Sequence, residues 1–114
     1  MSATTRGTTV INVGDKEITL KPTLDAVRKI EARFGGLRAA LESTSALSLD
    51  ATCHIIAAGA GLKPDAIKEL PEQVFQAGVG TVSPQLVPYV VFLLNPSYKE
   101  AEDEPGNAPE AAAQ

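Results

Sequence analysis

Two short runs of alternating residues on either side of Gly14-Asp15 set the first constraint on what this chain can become. Thr8 to Val13 and Lys16 to Lys21 both alternate, and a two-residue connection with Gly first is a hairpin signal. Pairing Val13 with Lys16 sets Ile11 opposite Ile18 and Thr9 opposite Leu20 on one face. Val10, Asn12, Glu17 and Thr19 then take the other face. An isolated hairpin is marginal in water, so this one has to rest on a helix or join strands of another copy. Its open edges are candidate assembly points.

Everything after the hairpin reads as helix. Thr23 is suited to N-cap a helix in which Leu24, Val27, Ile30 and Phe34 recur at helical spacing, with Asp25 placed to pair with Lys29. Gly35-Gly36 interrupts the pattern, and Leu37, Ala40 and Leu41 resume it in a second short helix or a kinked continuation. Ser43-Thr44-Ser45 reads as a polar loop. Ser48 caps the next helix, whose inward stripe is Leu49, Cys53, Ile56 and Ala60, whose last turns carry little bulk and which stops near Gly59 or Gly61. Pro64 opens a short helix with Ile67 and Leu70 inward, and Pro71 opens another that runs through Val74 and Phe75 to Gly78. Ser83-Pro84 repeats the cap-then-proline signal. The last helix is apolar nearly all round, and Pro88 delays its regular part, so it is either central or covered by a partner.

The expected fold is therefore α+β and mainly α: an N-terminal β-hairpin followed by about five short helices. Aromatics make up only 4% of the residues and Trp is absent, so the core has to be methyl-rich. Residues 1–7 read as a flexible N-terminus, 8–96 as a single hairpin-plus-helices domain and 97–114 as a disordered acidic tail. In that tail Lys99 and five acidic residues account for the whole net charge of -4, which leaves residues 1–96 neutral. A neutral body offers no field to gather polyanions, which argues against nucleic acid as the main ligand. The first residues lack the apolar run of a secretory signal, and a lone Cys53 forms no internal disulfide, so the expected location is cytoplasmic. The apolar run Leu86 to Leu94 is about half of the ~20 residues that a membrane helix needs.

No catalytic, metal-binding or cofactor-binding group emerges. Cys53 and His54 are sequence neighbours, which point roughly 100° apart on a helix and cannot share an activating hydrogen bond. One His and one Cys do not complete a zinc site. Gly59-Ala60-Gly61 and Gly78-Val79-Gly80 lack the strand and the Lys-Ser/Thr ending of a phosphate loop and read as helix ends. What remains is binding. Phe75, Tyr89, Val90 and Phe92 are the candidate partner-binding residues, in competition with a plain core role. Lys29 and Arg33 share a face of the first helix and are a candidate basic contact face, in competition with an ordinary solvated surface.

The run Leu20-Lys21-Pro22-Thr23-Leu24-Asp25-Ala26-Val27-Arg28-Lys29-Ile30-Glu31, followed by Phe34-Gly35-Gly36-Leu37, resembles the gene-transfer-agent family of phage tail assembly chaperones, whose members have also been described as tail tube proteins. The hairpin, Ile55-Ile56-Ala57-Ala58-Gly59, Gln76-Ala77-Gly78-Val79 and the final apolar helix follow in the family's order, so the resemblance covers roughly residues 10–95. The segment from Ser97 onward has no counterpart in it. The resemblance implies a non-enzymatic tail assembly chaperone of a phage, prophage or gene transfer agent. Its partner would be the tape measure protein, kept soluble during tail assembly, with other tail proteins as further partners. A first alternative is a structural tail tube subunit that homo-oligomerises through the hairpin edges and stays in the particle. A second is a small regulatory nucleic-acid-binding protein using the basic face.

Overall fold

A computed structural model describes residues 7–95; the expectations for residues 1–6 and for the tail 97–114 lie outside the described residues. Strands β1 (Thr9–Val13) and β2 (Lys16–Leu20) form a two-stranded antiparallel sheet in the anticipated register, with Val13 opposite Lys16, Ile11 opposite Ile18 and Thr9 opposite Leu20. Gly14 takes φ 67 in the turn, a conformation that Gly adopts without steric cost. Ile11, Val13 and Leu20 are buried and Val10 is exposed, so the alternation has sorted the faces.

Helices α1 (Leu24–Phe34), α2 (Leu37–Ser45), α3 (Leu49–Ala60), α4 (Pro64–Ala77), the single turn α5 (Val79–Val82) and α6 (Val87–Leu94) follow, with a 3-10 helix over Ser83–Leu86. The fold is α+β and mainly α, as expected. Thr23 caps α1 by accepting from the Ala26 amide at 3.0 Å, and Ser48 caps α3 by accepting from the Ala51 amide at 3.1 Å. Gly35 and Gly61 end the same two helices in the left-handed conformation.

Helix α3 is the centre of the body. Ala51, Thr52, Cys53, Ile55, Ile56, Ala58 and Gly59 are all buried along it, because α1, α2, α4, β2 and the 3-10 helix pack around it. A helix surrounded in this way has no polar stripe, and the small side chains of its last turns let neighbours come close. At Gly59 an added Cβ would lie 2.8 Å from the Tyr89 hydroxyl and 3.2 Å from the Leu20 Cβ, and the Gly59 carbonyl accepts from the Lys21 amide at 3.0 Å.

Several local expectations are corrected. Ser43, Thr44 and Ser45 belong to α2; Thr44 is fully buried and its hydroxyl donates to the Ala40 carbonyl at 2.8 Å, which removes the cost of a polar group in the interior. Pro71 does not start a new helix but sits inside α4. It lies on the exposed side of the helix, where a carbonyl without its backbone donor costs less than it would in the core. Ser83 does not N-cap a helix; its hydroxyl donates to the Thr44 carbonyl at 2.8 Å and ties the 3-10 helix to α2. Leu24 and Ile67 are exposed rather than inward, Leu24 because α1 turns Ala26 and Ile30 to the core. Helix α6 begins at Val87, with Pro88 in its first turn. It buries Tyr89, Val90 and Leu93 while Val91 and Leu94 remain exposed, so it is a flank of the core and not its centre.

Candidate partner-binding groove

Three helices frame a groove of about 440 Å³. Helix α3 supplies a floor of Cys53, Ala57 and Ala58, α1 contributes Ala32 to one wall, and α4 contributes Ile67 and Pro71 to the other. The residues arise from ordinary helical spacing: positions 53 and 57 are one turn apart on α3, and positions 67 and 71 are one turn apart on α4. Phe75 continues the α4 row by a further turn and is 64% exposed, beside Ile67 at 42%. The row Ile67, Pro71 and Phe75 spans eight residues of rise, about 12 Å of apolar surface along a helix axis. That is two turns, enough for the matching stripe of a second helix.

Charges at the rim are paired. Lys29 meets Asp25 at 3.2 Å within α1, and Arg33 reaches across to Asp50 on α3 as an ion pair. The Arg33 guanidinium also lies 5.6 Å from the centroid of Phe34, whose ring meets His54 edge-on at 5.9 Å. Burial, then the positive charge of Arg33, pushes the His54 imidazole below its ordinary 6.5 against an opposing pull from Asp50. The Cys53 thiol is pushed up to about 11 by burial, with Asp50 adding to the shift. Among the described residues no cluster of three His, Cys, Asp or Glu side chains is placed to hold a metal ion. No single helix there is long and apolar enough to cross a membrane.

The anticipated partner-binding set divides. Tyr89 and Val90 are fully buried and belong to the core: the Tyr89 hydroxyl donates to the Lys21 carbonyl at 2.6 Å beside Gly59, and the apolar face that suggested a partner is spent on α2 and the 3-10 helix. Phe92 is half-buried, its ring against Gly7. Phe75 alone is exposed, on α4, while α6 packs on α2 and the 3-10 helix, so the four residues form no common surface. Lys29 and Arg33 do share the exposed side of α1, but each is matched by a carboxylate, which leaves little net basic field there. The groove itself was missed in the sequence. Its signal was the spacing of Ile67, Pro71 and Phe75, obscured by reading Pro71 as a helix start. No family model, curated protein or solved structure matches the chain.

Proposed function

We propose that the chain is a non-enzymatic tail assembly chaperone of a phage, prophage or gene transfer agent that holds an apolar helical stripe of the tape measure protein in the groove between α1 and α4. The observation that carries this reading is the apolar wall of Ile67 and Pro71 beside a floor of small side chains, with the exposed Phe75 one turn further along α4. A tape measure protein is a long helical chain whose apolar stripes require cover until tube subunits enclose it. Small residues at the bottom of a groove let a helix seat deeply, and burial of the stripe drives the association. The family resemblance over residues 10–95 adds the biological setting.

Co-expression with the tape measure protein encoded nearby tests the reading. The wild-type chain is expected to form a complex and keep that partner soluble, while Ile67→Asp with Phe75→Asp loses both properties at an unchanged unfolding midpoint. A partner that stays insoluble beside the wild-type chain, with the chain itself found in finished particles, overturns it in favour of a structural tail subunit. One observation favours that second reading: the outward backbone groups of Glu17 and Thr19 on β2 meet no partner among the described residues.

A further inference from the structure

The two outer edges of the hairpin differ. In an antiparallel pair closed by a two-residue turn, Val13 and Lys16 exchange bonds with each other, so Asn12 turns its backbone groups outward from β1, and Glu17 and Thr19 turn theirs outward from β2. The edge of β1 is closed. It packs on α5 and the 3-10 helix, and the Gln85 side chain bonds the Asn12 amide and carbonyl at 2.8 and 2.9 Å. The edge of β2 is closed only at its end, where the Lys21 amide donates to the Gly59 carbonyl at 3.0 Å. Before that point Glu17 and Thr19 are exposed, and their outward backbone groups meet no partner among the described residues.

A trough runs beside this open edge. Two hollows of about 330 and 320 Å³ lie between the hairpin and α4 and share Lys16 and Gln73, so one continues into the other along the helix. On the helix side Ala66, Leu70 and Gln73 recur at three- and four-residue steps, and the half-buried Ile18 lines the same hollow from β2. The charge of the trough is one-sided. Lys16 is set against Asp15, Glu17, Glu69 and Glu72, and none of these carboxylates is in an ion pair among the described residues.

We propose that this trough takes an extended segment of a partner protein bearing Lys or Arg, which adds to β2 as a third strand. The amides and carbonyls of Glu17 and Thr19 supply the ladder that such a strand bonds. Residues opposite each other in a sheet share a face. The residue opposite Ile18 therefore turns toward the side where Leu70 lies and calls for an apolar side chain, whereas the residue opposite Glu17 turns outward, where a lysine or arginine meets that carboxylate. Charge selects the occupant. A second copy paired through β2 about a twofold axis would bring two acidic troughs together. The chain's own segment from Ser97 carries five acidic residues against one lysine, so it is repelled as well. The trough is separate from the groove between α1 and α4 and independent of what that groove holds.

The test is an NMR titration of the full chain at low salt with the synthetic peptide Lys-Val-Lys-Val-Lys and with its counterpart Glu-Val-Glu-Val-Glu. The basic peptide is expected to shift the Glu17 and Thr19 amides and slow their exchange, and to bind more weakly as salt is added, while the acidic one leaves them unmoved. Methylating the backbone amides of the basic peptide, at its lysines in one version and at its valines in another, is expected to abolish binding in one version and spare it in the other, since alternate residues of an added strand face β2. Glu69→Gln with Glu72→Gln is expected to weaken binding about 5-fold at an unchanged unfolding midpoint. A basic peptide that leaves Glu17 and Thr19 unmoved, that binds no better than the acidic one, or that binds equally in both methylated versions overturns the proposal. A rise in mass with concentration that protects the Glu17 and Thr19 amides overturns it too, in favour of a second copy.

Discussion

The hydroxyl of Tyr89 donates to the carbonyl of Lys21 at 2.6 Å, joining α6 to the end of the hairpin over the bare backbone of Gly59. Burial pushes that phenol up to about 12, so it remains a donor throughout the neutral range.

Two substitutions test this junction. Tyr89→Phe removes one of the two donors of the Lys21 carbonyl, the Thr23 amide at 3.0 Å remaining, and is expected to cost about 0.5–1.5 kcal/mol. Gly59→Ala drives a methyl group against the Tyr89 ring and the Leu20 Cβ and is expected to cost about 1–3 kcal/mol. Urea unfolding of the single and double variants checks both. Because the two residues touch, the double variant should lose less than the sum of the singles.

Ser83 makes a second internal tie. Its side chain is fully buried and donates to the Thr44 carbonyl. Ser83→Ala should therefore lower stability by about 1–2 kcal/mol, whereas Ser45→Ala, at an exposed position, should stay within about 0.5 kcal/mol. Thermal unfolding of the pair distinguishes a buried bond from a surface hydroxyl.

Which of these features can be read from sequence depends on how local their causes are. The hairpin register follows from a period of two and a two-residue turn, and the caps at Thr23 and Ser48 follow from side chains three residues from their targets. The position of Tyr89 does not, because an apolar helix with no polar stripe gives no hint of which side meets the core. The groove was hidden for a related reason. Pro71 is a common first residue of a helix, and only the exposure of that side of α4 lets it sit in the interior. The partners of Arg33 and Gln85 are tertiary, 17 and 73 positions away, and no short spacing predicts them.

The stability of the fold should depend on pH through His54. Its folded-state imidazole titrates below 6.5, so in the window beneath that value the unfolded chain holds more protons and stability rises with pH. The contribution is complete above 6.5 and is lost as the pH falls through the folded value. Denaturant midpoints of the wild type and His54→Gln, compared at pH 7 and pH 5, should show the smaller fall in the variant.

The Cys53 thiol reports on the floor of the groove. With its value raised from 9.0 to about 11, the thiolate fraction at neutral pH is lower by ~100-fold. Alkylation by iodoacetamide followed by mass spectrometry should be slower by about that factor in the native chain than in urea. Equal rates in the two states would mean that the thiol is not held as described.

The bonds from Gln85 to Asn12 and from Tyr89 to Lys21 span 73 and 68 positions, so the last elements of the body close upon the first. A ribosome delivers the chain in the opposite sense. The hairpin and α1 emerge early, with Ile11, Leu20 and Ile30 still wanting the cover that the closed body gives them. Nascent chains arrested before Tyr89 lack the piece that closes the core, and they should present those side chains to holding factors or to one another. Closure of the core then waits on the arrival of α6.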